Sequence, residues 1–194
     1  MKYKIAILGS AVDESAASLE KARMLGQTLA SHADHVMLLN GACPGMPDHV
    51  IRAARANTQM ETWGYSSSID QTQQQKESPV VDVNNFTKLI YVFGDFLFLG
   101  NIDVRRKYRN VILTATCDAG IVVSGRWGTL NEFTNLYDMG KVIGVLTGTG
   151  GAADELPALF GKISKPTKAK VIFHDDPHVL VEQVLQELKT RRAI

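Results

Sequence analysis

Short apolar runs alternate along the chain with longer stretches in which apolar residues recur at helical spacing. The apolar runs predict strands at residues 3–8, 35–39, 60–66, 89–93, 119–123, 142–146 and 170–173. The longer stretches predict helices at residues 13–31, 46–56, 102–116, 129–139, 153–163 and 177–189. Continuously apolar strands that alternate with amphipathic helices are typical of a parallel sheet covered on both faces. The pattern therefore predicts an α/β fold with a doubly wound, mainly parallel sheet of about seven strands and helices on both faces.

Residues 66–85 interrupt this pattern. They include three serines at 66–68 and a glutamine-rich run at 71–75, and they show neither helical nor strand periodicity. This composition predicts a polar surface loop, which could be mobile and act as a lid over a site. The segment is too short to link two full domains, so we expect residues 1–194 to form a single domain.

Three of the predicted strands end in turns that contain glycine. The turns contain Gly9 and Ser10, then Gly41 to Gly45, and finally Ser124 to Thr129. Because the carboxyl ends of parallel strands lie at one edge of a sheet, these turns can converge on one pocket. The last turn opens a helix, whose free N–H groups and positive dipole end attract an anion such as phosphate. Tight turns also need glycine without any ligand, so the glycines alone leave both interpretations open.

Thr129 and Glu132 stand at the start of the helix that follows the last turn. Their Thr-x-x-Glu spacing is that of a capping box, in which Thr129 caps the helix and Glu132 closes the box. The alternative is that Glu132 faces the pocket from the first helical turn. The sequence alone favours the capping box.

A basic cluster occupies residues 105–109, in the helix that precedes the strand at 119–123. Such a run is usually a solvated helix face. Arg105 and Arg109 share one face of the helix, so at least one of them could reach the carboxyl edge of the sheet. Arginine is suited to bidentate contact with phosphate or carboxylate. The Walker pattern and a GxGxxG after the first strand are both absent, which argues against a P-loop and against standard NAD binding.

The balance of charges and the cysteine count narrow the possible partners. Lys and Arg total 21 against 20 Asp and Glu, a formal net charge of +1, so we expect no nucleic-acid partner. Cys43 and Cys117 have no metal-ligand spacing, and two cysteines do not make a disulfide framework. A cytoplasmic location is the simpler interpretation. No apolar run approaches the roughly 18 residues of a membrane span, so we expect no membrane partner.

These stretches together resemble the LOG ("Lonely guy") family, which belongs to a wider Rossmann-like superfamily of nucleotide-binding proteins. The family motif PGGxGTxxE corresponds to residues 124–132, and a glycine cluster of the type GGGxxGxM corresponds to residues 41–46. A family arginine upstream of the aspartate that opens the buried strand corresponds to Arg109, counted back from Asp118. The resemblance extends over nearly the whole chain, from residue 3 to about residue 146.

The resemblance implies a function and a set of site residues. LOG enzymes hydrolyse the N-glycosidic bond of nucleoside 5′-monophosphates and release the base and ribose 5-phosphate. Arg109 and Glu132 are the implied catalytic pair, and no metal or other cofactor is implied. A nucleotide or other phosphorylated small molecule is the implied partner. The implied phosphate or nucleotide contacts are Gly9, Ser10, Gly41, Gly45, Ser124, Gly125, Arg126, Gly128 and Thr129.

The chain departs from the family pattern at two places. Ser124-Gly125-Arg126 replaces Pro-Gly-Gly, and Gly41-Ala42-Cys43 lacks two of the glycines. Arg126 either narrows the space in which the backbone approaches phosphate or supplies a cation to the ligand. Both departures fit an alternative function, a non-catalytic carrier or sensor of a nucleotide or phosphorylated cofactor, like the molybdenum-cofactor carriers of the superfamily.

LOG relatives are usually dimers, and the resemblance implies the same here. The apolar residues 96–99 could supply an interface. We therefore expect a homodimer or a larger homo-oligomer.

Overall fold

Strands that are apolar on both faces pair side by side in one twisted sheet in the computed structural model, which describes residues 2–163 and 165–193. Residues 1, 164 and 194, which the predicted single domain includes, lie outside the described residues. The strands are β1 (Tyr3–Gly9), β2 (Val36–Asn40), β3 (Thr62–Tyr65), β4 (Lys88–Ile90), β5 (Ala119–Val123), β6 (Val142–Leu146) and β7 (Lys170–His174). All strand pairs are parallel, in the order β4-β3-β2-β1-β5-β6-β7. The predicted doubly wound parallel sheet is confirmed.

Seven α-helices of the described chain cover both faces of the sheet; six connect successive strands and the seventh follows β7. They are α1 (Ala16–Ala30), α2 (Met46–Arg55), α3 (Gln71–Glu77), α4 (Ile102–Thr116), α5 (Trp127–Asp138), α6 (Gly151–Phe160) and α7 (Pro177–Arg192). Ile5 and Ile7 of β1 face a core that includes buried residues of α1, α2 and α7. The alternate residues, Ala6 and Leu8, face a second core with residues of α4, α5 and α6. Within residues 2–163 and 165–193, no helix is long and apolar enough to cross a membrane.

The direction in which successive strands are added to the sheet reverses between β1 and β5. From β1 the connections run outward through β2, β3 and β4, and the chain then returns to pair β5 on the other side of β1. Gly9 at the end of β1 pairs with Val123 at the end of β5. In open parallel sheets this switch point leaves a crevice beyond the carboxyl ends of the two strands, where ligands bind.

The prediction of a structureless loop at residues 66–85 is wrong, because the segment contains α3 and a short 3-10 helix at Val83–Asn85. Polar contacts hold α3 in place. Gln74 bonds to the hydroxyl of Ser66 and donates to the carbonyl oxygen of Ala42 at 2.9 Å. Glu77 forms an ion pair with Arg105 at 2.7 Å. A helix secured by side-chain amides and charges has no apolar periodicity for a sequence pattern to detect.

The apolar residues 96–99 are partly accessible. Leu97 is 85% exposed and Phe98 is 50% exposed, whereas the ring of Phe96 packs against Tyr108 with its centroid 4.7 Å away. The expected homo-oligomer that this surface could support stays a prediction.

The Arg105–Glu77 ion pair should contribute measurably to stability. Arg105 is buried, so among the described residues Glu77→Ala leaves its guanidinium with the Ser67 carbonyl oxygen as its remaining hydrogen-bond partner. We expect Glu77→Ala to lower the free energy of unfolding by about 2 kcal/mol in urea denaturation. Asp103→Ala, which removes an exposed partner of Arg106, should cost less than about 1 kcal/mol. Equal losses from the two variants would contradict a structural role of the buried pair.

Candidate functional site

A cavity of about 660 Å³ lies at the carboxyl edge of the sheet, beside the switch point. The end of β1, the turns that follow β1 and β2, and the first turn of α5 line it. The segment after α3 and one face of α4 form its remaining walls, through residues such as Val80 and Lys107. The cavity therefore lies where the topology predicts a ligand site.

The three predicted turns converge on this cavity, although not through every residue. Those of the predicted site residues that line it are Gly9, Ser10, Gly41, Arg109, Arg126, Gly128, Thr129 and Glu132. Gly45, Ser124 and Gly125 are buried behind the lining. Gly45 is the residue before α2, and the N–H of Met46 that follows it donates to the carbonyl oxygen of Ser10 at 2.9 Å. This bond joins the first two turns.

The turn after β5 has a geometry that the family motif could not adopt. Ser124, at the place of the motif's proline, has a φ of 57°, whereas the proline ring holds φ near −65°. The replacement of proline by serine thus accompanies a different backbone path. Helix α6 holds that path, because the N–H groups of Ala152 and Ala153 donate to the carbonyl oxygens of Gly125 and Ser124 at 2.8 and 3.2 Å.

The capping-box interpretation of Thr129 and Glu132 is wrong. Helix α5 begins at Trp127, and the residue before it, Arg126, makes no side-chain capping bond. Thr129 lies inside the first turn with its side chain against Gly125. The first backbone bond of the helix runs from Leu130 N–H to the Arg126 carbonyl oxygen. The N–H groups before Leu130 have no partner within the helix, and residues 128 and 129 line the cavity.

Glu132 is a buried carboxyl in the wall of the cavity. Its exposed fraction is 7%. Burial raises the pKa of the Glu132 carboxyl to about 7, and the positive charges of Arg109 and Lys107 only partly oppose this shift. Among the described residues, no ion pair within 4.0 Å joins Glu132 to either cation. Near neutral pH this group can therefore both accept and release a proton.

Arg109 reaches the cavity because position 41 has no side chain. A Cβ atom at Gly41 would lie 1.4 Å from Nη1 of Arg109, so the guanidinium occupies the space that any side chain would fill. The thiol of Cys43 is also close. Burial raises its pKa, while the charge of Arg109 acts in the opposite direction. The glycine of the second turn therefore positions an arginine of α4.

The basic cluster divides between the cavity and the interior. Arg105 is buried behind the cavity wall, where it bonds to the lining residue Glu77, whereas Arg106, Lys107 and Arg109 line the cavity themselves. Sequence reasoning missed Cys43 and Asn110 as lining residues. Cys43 stands inside the glycine cluster and Asn110 follows Arg109 directly, so adjacency to predicted site residues was the available signal.

Comparison with known proteins supports the assignment of the fold and the superfamily. Residues 2–181 match the sequence profile of the SLOG cluster4 family, whose superfamily includes the LOG proteins. This match confirms the resemblance to the LOG family that the motifs indicate. No functionally curated protein is detectably similar in sequence.

Solved structures share the fold over nearly the whole chain. The X-ray structure of TM1055 has 19% sequence identity and a TM-score of 0.73, covering 96% of this chain and 99% of that one. The molybdenum cofactor binding protein of the phototrophic bacterium Rippkaea orientalis has 18% identity and a TM-score of 0.68, covering 97% and 98%. At these identities the likeness shows the fold alone.

The prediction that the chain has no nucleic-acid partner is wrong, because net charge does not exclude such a partner. The structure also resembles DNA processing protein A of Helicobacter pylori, whose structure is described for its single-stranded DNA binding mode. The identity is 17% and the TM-score 0.65, with 95% of this chain and 81% of that chain covered. Net charge was a poor criterion, because local grooves and not the total charge govern contact with a single strand.

The buried Glu132 carboxyl should make stability depend on pH. Below about pH 4.5 the group is neutral in both the folded and unfolded states, and it costs nothing. Between about pH 4.5 and 7 the unfolded chain ionises this carboxyl while the folded protein keeps it protonated, so the free energy of unfolding falls over this window and levels off above about pH 7. Since one pKa unit is about 1.4 kcal/mol, Glu132→Gln should be up to about 3 kcal/mol more stable than the wild type at pH 8.

Urea unfolding at several pH values measures this difference. The gap should close as the pH falls towards 4.5. Glu155→Gln, on the exposed side of α6, is the matched control and should show no such gap. A pH-independent effect of Glu132→Gln would mean that the carboxyl is not charged in a buried setting.

Proposed function

The chain belongs to the SLOG cluster4 family, and on this premise we propose that it is a nucleoside 5′-monophosphate phosphoribohydrolase. It cleaves the N-glycosidic bond of the nucleotide to give the free base and ribose 5-phosphate. The observation that carries the proposal is the buried Glu132 carboxyl, which lies in the cavity wall one helical turn beyond a helix N-terminus suited to phosphate.

The phosphate binds at the first turn of α5. Gly128 and Thr129 line the cavity there, and their backbone N–H groups have no partners inside the helix. Arg126 lines the cavity beside them as an exposed cation. An arginine at the positive end of a helix dipole is electrostatically unfavourable by itself. A bound dianion offsets this repulsion, so both the amides and the side chain favour a phosphate.

Glu132 and Arg109 then act on the glycosidic bond. Residue 132 is three positions after residue 129, on the same side of α5 and about one turn deeper into the cavity. The ionised carboxylate takes a proton from a water molecule, whose oxygen bonds to C1′ while the C1′–N bond breaks. The bonding electrons leave with the base, which takes a proton from solvent. The carboxylate also stabilises the oxocarbenium-like transition state, and Arg109 orients the reacting groups.

A second candidate function is that of a non-catalytic nucleotide or phosphorylated-cofactor binding protein. The exposed side chain of Arg126 at the mouth of the cavity favours it, since the arginine supplies a binding cation where the LOG motif has glycine. The shared fold with the molybdenum cofactor binding protein of Rippkaea orientalis gives it a precedent.

For either function, the two free thiols fit a reducing compartment such as the cytoplasm.

Base release tests the proposed activity directly. Incubation with AMP, GMP, CMP and UMP should give free base and ribose 5-phosphate, detected by chromatography. The value of kcat/KM should rise as the pH increases through about 7, because the reaction needs the ionised form of Glu132. Glu132→Gln should lower kcat by about 10²-fold or more, whereas the exposed Glu155→Gln should keep full activity.

The same panel separates the two functions. If no nucleotide releases its base while AMP still raises the melting temperature, the enzyme proposal fails and the binding protein is supported. If Glu132→Gln keeps the wild-type rate, the carboxyl has no part in the reaction.

Gly41→Ala tests the position of Arg109. The new Cβ would displace the guanidinium, and a shift of this size typically costs about 10²-fold in kcat/KM. Arg109→Ala should lower the rate in the same direction. Gly100→Ala is the matched control, because a Cβ there meets nothing within 4 Å. Full activity of a folded Gly41→Ala variant would show that the enzyme does not depend on this placement of Arg109.

A further inference from the structure

Ala42, in the turn after β2, has a backbone conformation that few residues other than glycine adopt. Its φ is 46°, in the left-handed region. The residue is buried, and its neighbours Gly41 and Cys43 line the cavity. A left-handed alanine persists only where the surrounding structure holds it. The contacts of Ala42 therefore decide the path of this turn.

Two buried amide side chains hold Ala42. Oδ1 of Asn40 accepts from the Ala42 N–H at 2.8 Å, which fixes the peptide plane that precedes this residue. Nε2 of Gln74 donates to the Ala42 carbonyl oxygen at 2.9 Å, which fixes the peptide plane that follows it. Gln74 lies on α3 and is 2% exposed, and its Oε1 accepts from the hydroxyl of Ser66. One bond thus orients the amide of Gln74, and the other holds the turn.

Arg109 packs against the turn that these amides hold. A Cβ at Gly41 would lie 1.4 Å from Nη1, so the guanidinium fits only because position 41 has no side chain. On the other side of Ala42, the charge of Arg109 lowers the pKa of the Cys43 thiol against the opposing effect of burial. A rotation of either peptide plane would move Gly41 or Cys43 relative to the guanidinium. The position of Arg109 therefore depends on the conformation of Ala42.

Helix α3 is also attached to the helix that carries Arg109. Glu77, the last residue of α3, pairs with the buried Arg105 of α4 at 2.7 Å. Arg105 precedes Arg109 by four residues, which is about one helical turn. One short helix thus contacts both the turn and the helix between which the guanidinium of Arg109 lies.

We propose that Gln74 is a positioning residue of the site, which sets the position of the Arg109 guanidinium by holding the turn after β2. This inference rests on the proposed function for the role of Arg109 in the cavity. Gln74 itself lies behind the cavity wall and acts through Ala42 and Gly41. Without its donor, the left-handed conformation of Ala42 relaxes, and the space at Gly41 no longer matches the guanidinium.

The pKa of Glu132 reports where Arg109 lies, without any ligand or turnover. The charges that act on this carboxyl come from Arg109 and Lys107 of α4, and the Cys43 thiol on the turn is a further titratable group near it. Because Arg109 opposes the effect of burial, its displacement should raise the pKa of Glu132 above about 7. The carboxyl carbon of Glu132 is titrated by NMR, and its signal is assigned by its loss in Glu132→Gln.

Gln74→Met keeps the length of the side chain and removes the donor. It should raise the titration midpoint of Glu132 by about half a pH unit or more, and Arg109→Ala should raise it by about one unit. In the Arg109→Ala background, Gln74→Met should add no further shift, because Gln74 acts through the arginine. Gln74→Asn is one methylene too short to reach both Ser66 and Ala42, and it should give the same result if the methionine variant does not fold.

Gln73→Met is the matched control. Gln73 also lies on α3, and its amide makes two hydrogen bonds of 2.9 Å, to the N–H of Ile69 and to Glu77. Its loss therefore weakens α3 to a similar degree but leaves the bond from Gln74 to the turn in place. The midpoint of Glu132 should stay at the wild-type value.

Three results would overturn the proposal. The first is a wild-type midpoint of Glu132 in folded Gln74→Met. The second is an equal shift from Gln74→Met with and without Arg109, which would mean that Gln74 does not act through the arginine. The third is an equal shift in Gln73→Met, which would mean that α3 acts only through its own stability.

The outcomes distinguish this inference from the proposed function. If no nucleotide releases its base but the midpoint moves as expected, the hydrolase proposal fails and the role of Gln74 stands. If base is released while Gln74→Met keeps the wild-type midpoint, the role of Gln74 fails and the hydrolase stands.

Discussion

The pairing of β1 with β5 is the constraint on which the site depends. A Cβ at Gly9 would lie 2.2 Å from the carbonyl oxygen of Val123, so the two strand ends approach as closely as their backbones allow. This contact brings the turn after β5 beside the turn after β1, although more than a hundred residues separate them. The bond from Met46 N–H to Ser10 then adds the second turn. The cavity is thus a consequence of sheet order and not of any one motif.

The site places several unfavourable features in one small volume. Glu132 is a buried carboxyl, Arg126 lies at the positive end of a helix, and Ser124 has a left-handed backbone. Asn110 adds a buried side-chain oxygen that has no hydrogen-bond partner among the described residues. Each feature costs stability, and such costs typically cluster at functional sites. The remaining core, with fully buried residues on both faces of the sheet, supplies the stability that this cluster removes.

The amino-acid pattern predicted the sheet and its covering helices well, because continuously apolar strands have few other arrangements. It failed where polar contacts decide the structure. Helix α3 is held by Gln74 and Glu77 and has no apolar face to detect. The Thr-x-x-Glu pattern suggested a cap, but the helix begins at Trp127, before Thr129, because the preceding turn is held by α6. Such long-range bonds are not visible in local sequence. The motifs nevertheless identified Arg109 and Glu132, which the fold places in one cavity.

The packing of the Arg109 guanidinium against Gly41 limits how the two positions can change during evolution. While the arginine keeps this conformation, no side chain fits at residue 41, since even a methyl group would overlap Nη1. If the arginine is replaced by a small residue, the space is released and position 41 is free to vary. The two positions should therefore covary in homologous sequences. That coupling would distinguish relatives that retain this arginine-bearing wall from those that have rebuilt the cavity for another ligand.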